Sequence, residues 1–203
     1  MAGVVDIVNQ ALSALGEARI TSLSDPCPAA ILAQSLYESV RDTEISRYSW
    51  NFARTRTQLG RLAEAPLFGW SFQYLLPTDN LRVLQAGPWP QAVLSDFIGD
   101  ENRNWTIEGR HLLSNQGPPM NLIYLKRVDD PALYPPAFVE VLAAKLAWRM
   151  CERLTSGKGM RELAAKEYDA ALKQAKRLDS IQLPPQRPVD GEWMTAPLRT
   201  GGW

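Results

Sequence analysis

The chain has 203 residues, of which 45% are hydrophobic and 22% charged, and its 22 basic residues are balanced by 22 acidic ones. This composition is typical of a globular domain with a substantial core, and the length allows one domain with an elaborated arm. The zero net charge argues against a dedicated nucleic-acid binder, because phosphate binding requires a basic excess or a basic face. A single histidine, His111, argues against a histidine metal site and against a Ser–His triad.

The two cysteines, Cys27 and Cys151, lie far apart within apolar patterns. We predict buried reduced thiols, with a disulfide as the alternative. The chain opens without the charged-then-apolar pattern of a secretion signal, so we do not expect secretion. Its 15 prolines and seven tryptophans crowd into irregular segments, a pattern more typical of assembly proteins with extended arms than of compact enzymes.

The first predicted helix covers Val4–Leu15, where apolar residues recur at spacings of three and four. Gly16 stands where a left-handed C-terminal cap is expected. The polar residues of this helix are expected to face away from the core: Asp6, Asn9, Gln10 and Ser13.

The second predicted helix covers about residues 28–48. Its inward residues are predicted to be Ile31, Leu32, Leu36, Val40 and Ile45. Charges at helical spacings usually form a solvated face, so we expect its later half to expose Glu38, Arg41, Asp42, Glu44 and Arg47.

Three aromatic residues, Tyr48, Trp50 and Phe52, follow at the end of this helix. We predict that they pack between helix and sheet. The alternative is a base-stacking platform together with Arg54 and Arg56.

From residue 55 the apolar period changes from 3.6 to 2, which predicts a small antiparallel β region over about residues 55–128. Strands are predicted at 55–59, 70–76, 81–85 and 120–128. Residues 105–113 predict a hairpin that turns at Glu108-Gly109.

An acidic stretch within this region contains Asp96, Asp100 and Glu101. It lacks the spaced ligand series and the closing glutamate of a calcium loop, so we expect no metal there.

The helix predicted over 136–154 is apolar around most of its circumference, and its polar residues Lys145, Arg149, Glu152 and Arg153 share one arc. Such a helix is expected to be the buried centre of the core. A last helix, over 159–180, should pack antiparallel on it. The apolar stripe of that last helix consists of Met160, Leu163, Ala164, Tyr168, Ala171, Leu172, Ala175 and Leu178. Its outer face is expected to be solvated: Arg161, Glu162, Lys166, Glu167, Asp169, Lys173, Lys176 and Arg177.

The C-terminal residues 184–203 contain four prolines and three glycines, which exclude a helix or a central strand. Yet four large apolar residues stand among them: Trp193, Met194, Leu198 and Trp203. Burying one tryptophan is worth about 5 kcal/mol, whereas fixing about 20 residues costs about 20–40 kcal/mol. We hypothesise that these four residues dock on a neighbouring subunit, the alternative being a disordered tail.

Taken together, these patterns predict an α+β fold. Residues 1–183 form a single, mostly helical domain built on a buried central helix with an inserted β region, and residues 184–203 form an extended arm.

Several short motifs follow one another in a characteristic order. The first is Arg47 followed by W-N-F-A at 50–53, and the second is Y-L-L-P-T-D at 74–79. A hairpin with I-E-G-R at 107–110 and the residues from Tyr124 to Phe138 complete the set. Over about residues 4–180 this ordered set resembles the tail tubular protein A family, the head-to-tail adaptors of short-tailed bacteriophages. The arm after residue 183 does not align.

The resemblance implies a virion structural protein without catalysis, cofactor, metal or membrane contact. Such adaptors are assembled in the host cytoplasm as a dodecameric ring beneath the portal protein. The ring leaves a channel for double-stranded DNA and presents its lower face to the next, tubular tail protein. A ring needs contacts between unlike faces of each subunit, and the charged stripes of the second and last helices are candidates.

Three alternatives remain open. One is another connector component, such as a head-completion or stopper protein. A phage-borne hydrolase of the cell envelope would need two catalytic carboxylates, for which the candidates are Glu38, Glu44, Asp96, Glu101 and Glu108. The third is a DNA-binding regulator, although the sequence contains no helix–turn–helix pattern.

Overall fold

A computed structural model describes residues 3–87, 105–154 and 158–182 of the chain. Over these residues the fold is mixed α+β, as predicted, with four α-helices and two small antiparallel sheets. The helices are α1 (Val4–Leu15), α2 (Pro28–Arg47), α3 (Pro136–Leu154) and α4 (Lys158–Ile181). The strands are β1 (Arg54–Leu59), β2 (Phe72–Leu75), β3 (Asn80–Ala86), β4 (Trp105–Glu108), β5 (His111–Ser114) and β6 (Met120–Lys126).

Helix α1 begins and ends at the predicted residues, and the residue that ends it is the predicted cap, Gly16. Gly16 adopts a left-handed conformation with φ 74°, and its N–H donates to the carbonyls of Leu12 and Ser13. The predicted C-terminal cap is therefore confirmed. Asn9, however, is buried, which corrects its expected outward orientation. Its side-chain amide donates to the Ile20 carbonyl at 2.9 Å and accepts from the Ile20 N–H at 2.8 Å, which fastens the following loop to the helix.

Helix α3 lies against α1, α2 and α4. Its N-terminal Phe138 and the C-terminal Ala175 of α4 line one pocket, while its C-terminal Glu152 lies 3.4 Å from Arg161 at the start of α4. The two helices therefore run antiparallel, as predicted. Its buried side chains include Val141, Leu142, Leu146, Ala147 and Met150.

Three apolar residues are more exposed than their helical spacing predicts: Ile31, Leu163 and Leu178. The buried face of α2 is instead lined with Ala29, Ala30 and Ala33, so Ile31 lies on the other side of the helix. The buried line of α4 passes through Ala164, Tyr168 and Ala175, and the two leucines flank that line. The outer face of α4 is exposed as predicted, except that Lys176 is half-buried.

The β region contains strands within two residues of the predicted positions, divided between two sheets. The first sheet has the order β1-β6-β3 and the second has the order β2-β5-β4. In the β4–β5 hairpin Glu108 pairs with His111, so the turn is formed by Gly109 and Arg110, one residue later than predicted. Gly109 has φ 58°, a conformation that suits glycine and a tight hairpin turn.

Cys27 and Cys151 are not joined to each other by a disulfide, and the predicted burial holds for Cys151 but not for Cys27. Cys151 is buried in α3, whereas Cys27 is only half-buried because it is the residue that caps the start of α2. Among the described helices, none is long and apolar enough to cross a membrane.

Candidate functional site

Glu44 on α2 has no exposed surface, and groups from three helices surround its carboxylate. Tyr168 of α4 donates its hydroxyl to Glu44 Oε2 at 2.8 Å, and Lys145 Nζ of α3 lies 3.7 Å from Oε1. Arg47 places Nε 4.0 Å from the same Oε1 and donates to the Tyr168 hydroxyl at 2.7 Å. These four residues, the Glu44 cluster, join α2, α3 and α4.

Aromatic rings cover the cationic part of the Glu44 cluster. Lys145 Nζ lies 4.1 Å from the ring centre of Trp148 and 4.3 Å from that of Tyr168. The two rings stack with their centres 5.7 Å apart. Burial lowers the pKa of Lys145, although Glu44 opposes that change. Burial and the hydrogen bond to Glu44 raise the pKa of Tyr168, so this hydroxyl stays protonated and continues to donate at neutral pH.

The chemistry of Glu44 is that of a structural ion pair. Its carboxylate is fully buried and contacts Lys145 of α3 and Tyr168 of α4, so it holds three helices together. The other described carboxylates proposed for a hydrolase, Glu38 and Glu108, are exposed. Glu38 stands six residues from Glu44, about 9 Å along the helix, and Glu108 belongs to the second sheet.

A second ion network ties α2 to the chain that follows β6. Arg41 is buried, and its guanidinium lies 2.8 Å from Asp42 and 2.9 Å from Asp129. Asp42 also lies 3.0 Å from Arg127. The expectation of a solvated face in the later half of α2 was therefore wrong for Arg41 and Glu44. Arg41 and Glu44 are therefore paired within the chain, whereas Glu38 and Arg47 of the same helix remain exposed.

The W-N-F-A element forms a wedge between helices. Trp50 is 2% exposed, its indole N–H donates to the Glu44 carbonyl at 2.8 Å, and its ring contacts Phe138 edge-on at 5.2 Å. Phe52 packs on the same phenylalanine at 4.8 Å. Core packing of these aromatics is confirmed, since a buried Trp50 cannot stack on a nucleic-acid base. Their partner Phe138 belongs to α3, whereas a position between helix and sheet was predicted.

The wedge is also fastened to the end of α4. The Asn51 N–H donates to Asp179 Oδ1 at 3.1 Å, and the Asn51 amide donates to the Asp179 carbonyl at 2.8 Å. Asp179 is buried, and this burial raises the pKa of its carboxyl. A negative charge near a helix C-terminus is also unfavourable.

We predict that Asp179→Asn changes the pH dependence of stability. A raised pKa in the fold means that ionisation of Asp179 destabilises the folded state, so its contribution declines as pH rises through that pKa. Asparagine keeps an acceptor for the Asn51 N–H and cannot ionise. The variant should gain stability over the natural protein between about pH 3 and about pH 7 in urea unfolding. Asp169→Asn, the same change at an exposed position of the same helix, is the matched control. A difference that is constant with pH would contradict the prediction.

Among the residues that the structure describes, the most exposed large apolar side chains belong to the loop between β1 and β2. Leu67 is 98% and Phe68 is 86% exposed. The loop of residues 66–70, here named the apolar loop, borders a pocket of about 510 Å³ whose other wall includes His111 and Leu113 of β5. Leu75 of β2 is exposed as well. Contiguous exposed apolar side chains are common on surfaces that contact another molecule.

Several predicted site residues lie outside the described residues. They are Asp96, Asp100 and Glu101 of the acidic stretch, and Trp193, Met194, Leu198 and Trp203 of the C-terminal segment. Within the described residues, no group of three or more His, Cys, Asp or Glu side chains is arranged to hold a metal ion.

A scan against protein-family models found no match for the chain, and no curated protein matches it either.

Proposed function

We propose that this protein is a bacteriophage virion structural protein, a head-to-tail adaptor. In this role, copies form a dodecameric ring beneath the portal protein, join it to the tubular tail protein and leave a channel for DNA. The proposal rests first on the ordered motifs that resemble the tail tubular protein A family. The structural observation that supports it most is the apolar loop, because Leu67 and Phe68 are exposed side chains of the kind that contacts a partner.

Several of the residues on which the resemblance is based make packing contacts or hydrogen bonds within this fold. Trp50 and Asn51 fasten α2, α3 and α4 together, and Tyr74 is completely buried in the second sheet. Asp79 accepts a hydrogen bond from the Tyr124 hydroxyl at 3.1 Å. Contacts of this kind explain why those residue types stand at those positions.

In the proposed ring, α3 is the central helix of each subunit, in keeping with its contacts to α1, α2 and α4. Residues 184–203 act as the arm, with Trp193, Met194, Leu198 and Trp203 as the residues that dock on a neighbour. Zero net charge suits a channel through which DNA passes without sequence-specific binding. The protein resides in the connector of the virion after assembly in the host cytoplasm.

A second candidate is another connector component, such as a head-completion or stopper protein. The position of the gene distinguishes the two, since an adaptor gene is expected beside a portal or tubular tail gene. Burial removes Glu44 from the carboxylates that a cell-envelope hydrolase could use, and zymography with the purified protein tests that function directly.

We predict that the double variant Leu67→Ser, Phe68→Ser loses assembly without losing stability. Both side chains are exposed, so the free energy of unfolding should change by no more than about 0.5 kcal/mol. The number of copies bound to the portal ring, counted by native mass spectrometry, should fall sharply. Leu133→Ser is the matched control, because Leu133 is an exposed leucine elsewhere on the surface. Full occupancy of the portal ring by the double variant would show that the apolar loop is not needed for binding to the portal.

A further inference from the structure

A second surface lies between the helices, at the opposite end of α4 from the Trp50 wedge. It is a cleft of about 790 Å³ bordered by α2, α3 and the first turns of α4. Leu32, Leu36 and Trp148 supply apolar walls, and Lys145 of the Glu44 cluster lines it as well. The rim carries three arginines: Arg149, Arg153 and Arg161.

The charges around the cleft are unbalanced. Arg161 shares an exposed ion pair with Glu152 at 3.4 Å, and Lys145 is matched by Glu44. Arg149 and Arg153 are exposed and form no ion pair with any other described residue. The cleft therefore combines two unmatched guanidinium groups with an aromatic and aliphatic wall. Guanidinium groups bind carboxylates through charge-assisted hydrogen bonds, so this chemistry suits a peptide with acidic residues beside a large apolar one.

The C-terminal segment of the chain contains such a peptide. Residues 190–194 read Asp-Gly-Glu-Trp-Met, which places two carboxylates within three residues and a tryptophan directly after them. We propose that the cleft binds residues 190–194 of a second copy of this chain, with Asp190 and Glu192 at the arginines and Trp193 against the apolar wall. This proposal names the surface of the proposed ring subunit that binds the arm of the next copy. It rests on the proposed function, in which copies of the chain contact one another.

Chain length favours a second copy over the same one. From Arg161 to Ile181 the helix α4 extends about 30 Å, at 1.5 Å per residue. Asp190 follows Ile181 by nine residues, which span at most about 30–32 Å when fully extended. Three of these residues are prolines, which favour a rise of about 3.1 Å per residue and so about 28 Å in total. The cleft of the same copy is therefore at the limit of reach. A contact between unlike surfaces of successive copies is also what closes a ring.

The test uses fluorescence anisotropy with a labelled peptide of residues 184–203 and the full chain as receptor. The receptor carries Asp190→Lys and Glu192→Lys, so that its own arm cannot compete. Adding Arg149→Glu and Arg153→Glu to it should weaken peptide binding at least tenfold. Adding Lys166→Glu and Lys173→Glu instead, at exposed cations on the outer face of α4, should leave binding within twofold. A peptide carrying Asp190→Lys and Glu192→Lys should bind a receptor with Arg149→Glu and Arg153→Glu and the natural arm, whose Asp190 and Glu192 are repelled by the reversed cleft and so do not compete.

Four results would overturn the proposal. The first three are absence of peptide binding, equal weakening by the two pairs of charge reversals, and failure of the reversed peptide to recover binding. A natural chain that excludes the peptide while it is monomeric would show that its own arm fills the cleft, which contradicts the assignment to a second copy. None of these results depends on the portal protein, so failure here and failure of the adaptor proposal are distinguishable.

Discussion

Replacing Glu44 by glutamine is expected to lower the free energy of unfolding by about 3–5 kcal/mol. Glutamine has nearly the same size and can still accept from the Tyr168 hydroxyl, so the change removes charge and little else. Lys145, buried 3.7 Å away, then loses the carboxylate that compensates its burial. Unfolding in guanidinium chloride, followed by circular dichroism, measures the difference.

Glu38→Gln is the matched control for this variant, because it makes the same chemical change at an exposed position of the same helix. Its effect should stay within about 0.5 kcal/mol. A double-mutant cycle with Lys145→Gln should give a coupling energy of at least about 1 kcal/mol between Glu44 and Lys145. An effect of Glu44→Gln no larger than that of the control would mean that the Glu44 cluster does not stabilise the helices.

Replacing Trp50 by alanine is expected to cost about 3–5 kcal/mol of stability. The indole is 2% exposed, contacts Tyr48 and Phe138 edge-on, and donates to the Glu44 carbonyl. Its removal leaves a cavity at the junction of α2 and α3 and a carbonyl without its donor. Thermal and guanidinium unfolding measure the loss.

Phe68→Ala is the comparison for Trp50→Ala, since it also removes a large aromatic ring but from a position that is 86% exposed. It should change stability by no more than about 0.5 kcal/mol. A loss below about 1 kcal/mol for Trp50→Ala would contradict the packing described for the wedge.

The elements that could be predicted from the sequence are those with local causes. Gly16 ends α1 because glycine, which has no Cβ, adopts the left-handed cap conformation without strain. Pro136 begins α3 because proline suits the first turn of a helix. The β4–β5 hairpin follows from a glycine at its turn. Each of these causes acts within a few residues, so a sequence pattern is enough to find it.

The buried charges could not be predicted in the same way. Glu44 and Arg41 have helical spacings typical of a solvated face, and two partners of Glu44, Lys145 and Tyr168, lie more than 100 residues further along the chain. One pattern in the sequence does indicate that Glu44 is buried, because it continues the buried series Ala33, Tyr37 and Val40 at spacings of three and four. A lone lysine between Leu142 and Leu146 on an otherwise apolar helix was a second indication.

The candidate surfaces were beyond sequence reasoning for a different reason. Leu67 and Phe68 are apolar residues between two strands, and whether they are buried depends on how the two sheets divide the β region. The cleft depends on three helices that meet only in the folded chain. Periodicity describes one element at a time, whereas these surfaces arise between elements.

Native mass spectrometry of the protein, alone and mixed with the portal ring encoded by the same genome, tests the central claim most directly. The adaptor proposal predicts that the portal ring gains a dodecamer of this chain, and that the Leu67→Ser, Phe68→Ser variant lowers that number. A protein that stays monomeric and leaves the mass of the portal ring unchanged would contradict it.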